Sequence, residues 1–130
     1  MSENIDVVAR GYERFNKGEL ALELMHPNVR IVQTPLVLGT AGTFEGREGF
    51  QRSVAELREG FEDVRFEPES YDEVETGVVI VQARWIGRGN ASGAPVNTPV
   101  WHVWTVEEGL ITSLEVHASE RAARAAAQPS

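Results

Sequence analysis

Cysteine is absent from this 130-residue chain, which excludes both a disulfide framework and a thiolate metal site. Long apolar runs are also absent, and none reaches the ~18 residues of a membrane-spanning helix, so we expect no membrane partner. The first residues, Met1 to Asp6, are acidic and lack the apolar core of a signal peptide. Together these absences lead us to expect a cytoplasmic protein.

Basic residues are scarce, with twelve Lys and Arg against twenty Asp and Glu, which gives a formal net charge of −8. Lys17 is the single lysine. Because binding to phosphates requires clustered Lys and Arg, we expect no nucleic-acid partner. No glycine run matches a phosphate-cradling motif, and we predict no cofactor. The three histidines are far apart in the sequence and no pair has helical spacing, so we predict no metal site.

The first half of the chain has a helical pattern. An apolar stripe at helical spacing predicts a first helix from about Ile5 to Phe15, which Gly18 ends. Glu19 then opens a predicted short second helix, which ends at His26-Pro27 because proline disfavours helix before it. Three further segments are predicted: a strand at Val29–Thr34, a loop at Leu36–Phe44 and a helix at Arg47–Glu59.

The second half consists mainly of alternating apolar segments, which predict strands at 61–73, 78–86, 96–106 and 110–118. Pro68 interrupts the first of these, which predicts an edge or bulged strand. Glu107–Gly109 is typical of a tight hairpin, and Ser119 of the cap of a last helix to about Ala127. Helices followed by a strand meander predict one α+β domain over residues 1–130, with a curved, mostly antiparallel sheet around N-terminal helices.

Strand alternation predicts which side chains face the helices, because successive side chains point to opposite faces. The predicted concave face carries Val79, Val81, Ala83, Trp85, Val100, His102, Trp104, Val106, Leu114, Val116 and Ala118. The opposite face carries Gln82, Arg84, Glu115 and His117, which predict either a cross-strand polar lattice or part of a dimer surface.

His102, between Trp101 and Trp104, is the main candidate for chemistry. Its ordinary pKa lies near neutrality, and burial would lower that pKa by disfavouring the cation. A neutral imidazole in an apolar pocket can abstract a proton or polarise a carbonyl group. The alternative is a core histidine whose two nitrogens are satisfied by backbone or water.

Other candidates have equally plain alternatives. Trp85 and Trp104 could stack on a ligand or simply fill the core. Tyr12 and Phe15 could line the mouth of a pocket or pack in the core. Polar contacts to a ligand could come from the strand end at Gln33 and Thr34, which could equally be solvated. Ser53 lacks the strand–turn–helix context of a nucleophile.

Several segments together resemble the SnoaL-like branch of the nuclear transport factor 2-like superfamily. These segments are Tyr12–Leu20, His26–Val29, Phe44–Gly49, His102–Thr105 and Glu108–Ile111. The resemblance implies a cone-shaped sheet with a central pocket, and usually a homodimer. It leaves function open, because the superfamily includes ketosteroid isomerases, polyketide cyclases, epoxide hydrolases, dehydratases and non-catalytic binding proteins.

The resemblance can also be followed residue by residue. Aligned on Asn16 and Gly18, the three catalytic positions of ketosteroid isomerases fall at Gly11, Thr34 and His102, and all three residues differ. The catalytic aspartate of limonene-type epoxide hydrolases falls at Val116. Neither mechanism is therefore supported, and the acid/base aspartate of the polyketide cyclases has no counterpart.

These observations predict a protein that binds an apolar small molecule, with His102 as acid or base of a cofactor-independent isomerase, cyclase or dehydratase. The predicted ligand contacts are Tyr12, Phe15, Trp85, Val100, Trp104, Leu114 and Val116. The alternative is a non-catalytic binding protein, or a dimeric scaffold with a vestigial pocket. We expect a homodimer through the outer face of the sheet.

Overall fold

The computed structural model describes residues 2–33 and 42–128. These ranges contain three α-helices, one 3₁₀ turn and six strands. The helices are α1 (Glu3–Asn16), α2 (Gly46–Gly60) and α3 (Glu120–Ala127), and the 3₁₀ turn is Leu22–Leu24. The strands are β1 (Met25–Gln33), β2 (Gly42–Glu45), β3 (Phe61–Glu75), β4 (Val78–Gly89), β5 (Pro95–Glu107) and β6 (Leu110–His117).

The six described strands form one sheet in the order β2-β1-β6-β5-β4-β3. Neighbouring strands are antiparallel except for β1 and β6, which pair in parallel. Helices α1 and α2 pack on the inner face, where Val8, Phe50 and Val54 join the inward residues of the sheet in the main core. The predicted α+β cone, with a mostly antiparallel sheet around N-terminal helices, is confirmed.

Helix α1 is fixed at both ends by polar side chains. The Ser2 hydroxyl accepts a hydrogen bond from the Ile5 N–H at 3.1 Å, which caps the helix. At the other end, the Asn16 amide donates to the Phe66 carbonyl at 2.8 Å and accepts from the Phe66 N–H at 3.0 Å. This two-way contact attaches the end of α1 to the edge strand β3.

The predicted second helix is wrong. Ala21 has a left-handed φ of 52°, which prevents a helix from running on from Glu19. Only the 3₁₀ turn forms, and Met25 already belongs to β1. The guanidinium group of Arg47 stabilises the junction between this turn and β1, because it donates two hydrogen bonds to the Met25 carbonyl, at 3.0 and 2.7 Å.

The predicted loop at Leu36–Phe44 is corrected in part. Residues 34–41, with Thr34 among them, lie outside the described residues. Gly42–Glu45 forms β2, which pairs with β1 from Arg30 to Gln33. The period-2 pattern of such a short strand is too brief to be recognised between glycine and threonine residues.

The strand meander follows the prediction, with most strands a few residues longer than expected. β3 is an edge strand, and its register with β4 shifts between Pro68 and Ser70, so the predicted effect of Pro68 is confirmed. The β5–β6 hairpin turns at Glu108 and Gly109, whose φ angles are 51° and 80°. Two consecutive positive φ angles are what a two-residue turn of type I′ requires.

Helix α3 begins where Ser119 caps it, with the Ser119 hydroxyl accepting from the Ala122 N–H at 3.1 Å. It lies on the outer face of the sheet and buries Ala123 and Ala127 against Ile80 and Val103. The last helix therefore packs on the sheet through these two alanines. It covers part of the outer face, and the homodimer through that face stays a prediction.

Candidate functional site

A cavity lies between the inner face of the sheet and the helices α1 and α2. The space open to the centre of a water-sized sphere is about 80 Å³. A single water needs only about 10–15 Å³ in this measure, so the cavity has room for several waters or a small organic molecule. Its wall is mostly apolar and includes Phe15, Leu57, Ile111 and Leu114.

The sheet contributes one polar side chain to the middle of this apolar wall. His102 on β5 pairs with Val81 of β4 on one side and Val116 of β6 on the other. Because paired residues share a face of the sheet, all three side chains point inward. His102 is only 4% exposed, and together with Trp104, two residues further on, it lines the cavity.

Tyr12 of α1 joins these two residues through its hydroxyl group. The Tyr12 oxygen lies 2.5 Å from Nδ1 of His102. The indole N–H of Trp104 donates to the same oxygen at 2.8 Å. Tyr12 is itself only 5% exposed, so the Tyr12 hydroxyl, the His102 imidazole and the Trp104 indole form a buried hydrogen-bonded cluster, here called the aromatic triad.

Burial makes the aromatic triad electrically neutral at pH 7. Loss of hydration lowers the pKa of His102 to about 3, and the positive charge that His117 can carry contributes in the same direction. Loss of hydration also raises the pKa of Tyr12 well above its ordinary value, although the Trp104 hydrogen bond opposes this rise. The imidazole is therefore uncharged and the phenol keeps its proton.

Two predicted ligand contacts, Trp85 and Val100, lie outside the lining of this cavity. Both face inward as predicted, but inward orientation does not fix position along a strand. Trp85 is four residues beyond Val81, the partner of His102, which is about 13 Å along β4. Its ring packs edge-on against Phe61 at a centroid separation of 4.9 Å, so Trp85 fills the core there.

The remaining predicted contacts line the cavity: Tyr12, Phe15, Trp104, Leu114 and Val116. Of the two alternatives for Tyr12, the structure shows the core position and not the mouth, because Tyr12 is buried at the polar point of the wall. Its position four residues after the fully buried Val8 was a signal of this burial, since residues spaced by four share a helix face.

Two polar or aromatic residues of the wall were not among the predicted ligand contacts, and a third was left open. Ser53 of α2 lines the cavity, and its hydroxyl donates to the Phe50 carbonyl at 2.7 Å. Phe66 of β3 lines it too, with its ring 5.2 Å from that of His102. Gln33, proposed together with Thr34 as a polar contact, also borders the cavity.

Gly11 occupies the position that alignment on Asn16 and Gly18 matches to the catalytic tyrosine of ketosteroid isomerases. It lines the cavity, and the adjacent Tyr12 supplies the hydroxyl group. The hydroxyl group that contacts His102 therefore lies one residue after the position that alignment on Asn16 and Gly18 indicated.

Within residues 2–33 and 42–128, no three His, Asp or Glu side chains come together as a metal site would require. Among the same residues, no helix has the length and hydropathy needed to cross a membrane.

Comparison with known proteins places these features in context. The family model described as the SnoaL-like domain matches residues 8–114. No curated protein matches the chain. An NTF2-like protein of unknown function from Burkholderia pseudomallei superposes with a TM-score of 0.81 at 20% sequence identity, covering 99% of this chain and 100% of that one.

Two other solved structures have names that refer to a ligand or a function. TerC, co-crystallised with polyporic acid, has a TM-score of 0.80 and 23% identity over 95% of this chain and 97% of its own. A protein from Jannaschia described as a SnoaL-like polyketide cyclase has a TM-score of 0.76 and 23% identity, over 98% and 94% of the two chains. At these identities the likeness shows the fold alone.

Proposed function

Because the chain belongs to the SnoaL-like domain family, we propose that its cavity binds an apolar small molecule carrying one polar group, which the aromatic triad contacts. In the catalytic form of this proposal, the protein is a cofactor-independent isomerase, cyclase or dehydratase. The observation that carries the proposal is the buried contact of His102 with Tyr12 in an otherwise apolar wall.

The chemistry available to the triad follows from its neutrality. A histidine whose pKa is about 3 is a weak base at pH 7, but its neutral ring can donate a hydrogen bond. Such a donor stabilises negative charge that develops on a carbonyl oxygen when a neighbouring C–H bond breaks. Hydrogen bonds aimed at a developing charge in a water-poor site are often the largest contribution to catalysis.

The relatives are compatible with this proposal without assigning a reaction. One was crystallised with polyporic acid, and another is described as a polyketide cyclase. Both names refer to small organic molecules or to enzymes acting on them. The apolar wall of the present cavity suits ligands of that general character, since binding sites for such molecules are mostly apolar with a few placed polar groups.

A non-catalytic binding role is the second candidate, and one observation favours it. The residues that line the cavity in the described part of the chain include no Asp or Glu. A general base stronger than His102 is therefore missing from that part of the wall. A binding protein needs only the shape and the hydrogen bond, and no such base.

A thermal-shift screen tests whether the cavity of this protein binds a ligand or is vestigial. Steroids, polyketide fragments, terpenoids and aromatic acids are the probes, because a ligand at 100 times its dissociation constant adds about 2.7 kcal/mol of stability. The proposal expects at least one class to raise the melting temperature. If no class does so, the cavity is vestigial and the proposal is wrong.

The variant His102→Ala then tests the role of the triad, with His26→Ala as the matched control outside the cavity. We expect His102→Ala to fold but to lose turnover of the compound found, or to weaken its binding. His26→Ala should retain both. Unchanged binding and turnover in His102→Ala would make His102 a packing residue only. Binding without turnover in the wild type would select the non-catalytic role.

A further inference from the structure

We propose that the aromatic triad directs the proton of His102 to Nε2, so that the polar point of the cavity is a hydrogen-bond donor. The ligand it selects carries a hydrogen-bond acceptor, a carbonyl or an oxyanion, on an otherwise apolar skeleton. The statement about the ligand rests on the proposed function, whereas the statement about the proton concerns the ligand-free protein.

The direction of the first hydrogen bond is fixed by chemistry. An indole nitrogen can only donate, so Trp104 donates and the Tyr12 oxygen accepts, at 2.8 Å. The Tyr12 hydroxyl has one proton of its own to place. Nδ1 of His102, at 2.5 Å, is its only hydrogen-bond partner apart from Trp104 within the described residues.

Two arrangements of the second hydrogen bond are possible, and they leave different numbers of groups unpaired. If Tyr12 donates to Nδ1, the described residues leave one group of this contact unpaired, the Nε2–H of His102. If Nδ1–H donates to Tyr12 instead, both the Tyr12 proton and the Nε2 lone pair are unpaired. An unpaired buried polar group is costly, so the first arrangement is favoured.

The first arrangement also suits the phenol oxygen, which then accepts one hydrogen bond and donates one. In the second arrangement that oxygen would accept from both Trp104 and His102. Trp104 is therefore a positioning residue: its N–H occupies the Tyr12 oxygen and leaves the Tyr12 proton to His102.

Nε2 is the ring nitrogen of His102 that the Tyr12 contact leaves available to the cavity. The space that His102 lines is the cavity. A donor at this point complements a carbonyl oxygen or an oxyanion and offers nothing to an ammonium group.

The first test is the ¹⁵N spectrum of His102 in the ligand-free protein, which distinguishes a protonated from an unprotonated ring nitrogen. We expect the proton on Nε2 at pH 7 and a hydrogen-bonded, pyridine-type Nδ1. In Tyr12→Phe the Nδ1 signal should move toward that of a nitrogen without a hydrogen bond. A proton on Nδ1, or a charged ring, in the wild type would overturn the inference whatever the cavity binds.

The second test uses acetophenone and α-methylstyrene, which have the same shape but differ by a carbonyl oxygen in place of a methylene group. The preference for acetophenone over α-methylstyrene is measured as the ratio of their dissociation constants. We expect this preference to be about 5- to 10-fold larger in the wild type than in His102→Phe, because the variant lacks one net hydrogen bond to the ligand. The cation 1-phenylethylammonium should bind more weakly than either.

The outcomes of the two tests are distinguishable. An equal ratio in wild type and His102→Phe would overturn the ligand class even if Nε2 carries the proton. If neither compound binds to the wild type, the proposed function fails for ligands of this size, and the ¹⁵N spectrum still decides where the proton lies.

Discussion

Removing one oxygen atom from Tyr12 tests the structural role of the aromatic triad. Tyr12→Phe leaves the Trp104 N–H and Nδ1 of His102 without their shared partner. Each buried polar group left unpaired costs about 1–3 kcal/mol. The adjoining cavity can admit a water to one of them, which moves the total toward the lower half of the range. We therefore expect a loss of about 2–4 kcal/mol in the free energy of unfolding.

The matched control is Tyr71→Phe. Tyr71 lies edge-on to Tyr12 with ring centroids 6.4 Å apart, and burial alone raises the pKa of its hydroxyl. Because that hydroxyl has no hydrogen-bond partner among residues 2–33 and 42–128, this variant should lose less than about 0.5 kcal/mol. The assay is urea unfolding at pH 7 together with the melting temperature, which should fall by roughly 8–16 °C for Tyr12→Phe. Equal stabilities of the two variants would refute the reasoning.

A double-mutant cycle with Trp104→Phe isolates the hydrogen bond from the loss of packing. In the absence of the Trp104 N–H, Tyr12→Phe leaves only Nδ1 of His102 without a partner, whereas in the wild type it leaves both groups unpaired. The combined variant should therefore lose less stability than the sum of the single variants, with a coupling of about 0.5–3 kcal/mol. Additive losses would show that the Trp104–Tyr12 contact contributes nothing to stability.

Three further predictions concern groups inside and outside the triad. Burial lowers the pKa of His102 from 6.5 to about 3. Between these two pKa values the unfolded chain therefore binds more protons than the folded chain. The stability that comes from the neutral, buried His102 is fully present above pH 6.5 and is lost as the pH falls toward 3. Between pH 7 and pH 5 the wild type should lose roughly 2 kcal/mol more in urea unfolding than His102→Asn, and equal losses would contradict the burial argument. Gly77 (φ 83°) and Gly18 (φ 88°) share a left-handed backbone, but a Cβ at Gly77 would lie 2.5 Å from the Val106 carbonyl oxygen and one at Gly18 would meet nothing. Chemical denaturation should thus show Gly77→Ala to be less stable than Gly18→Ala by roughly 2 kcal/mol or more, whereas similar losses would rule out this close approach. Ser119→Ala should cost about 1 kcal/mol in the same assay through loss of the α3 cap, and an unchanged stability would mean that the cap is dispensable.

The fold was largely predictable because its local signals agree. The strands of the meander alternate in apolar character over much of their length, and turn residues such as Glu108-Gly109 separate them. The failures occur where tertiary contacts override a local pattern. Met25 follows a leucine-rich segment that indicates helix, yet it pairs with Ile111 of β6 and receives the Arg47 side chain. No property of residues 19–27 alone encodes these partners.

For the candidate site, the sequence predicted only which face of the sheet each side chain points to. Alternation along β5 correctly placed His102 and Trp104 on the inner face, because side-chain direction is a local property of a strand. Distance along a strand is not local, which is why Trp85 was assigned to the same space and instead packs on Phe61. The contact between Tyr12 and His102 joins residues 90 positions apart, and it depends on how α1 docks across the sheet.

The opposed pKa shifts within the triad limit how it can act on a ligand. Moving the Tyr12 proton to His102 would create a tyrosinate and an imidazolium, the two charged forms that burial disfavours most here. The triad is therefore a fixed array of hydrogen bonds and not a proton relay. In the proposed catalytic role, such an array would work through stabilisation of developing negative charge, and the base that removes a proton would be water, another part of the protein or the substrate itself. A substrate with an acidic C–H beside a carbonyl group meets this requirement best, because the carbonyl group that makes the C–H acidic also accepts the hydrogen bond from His102.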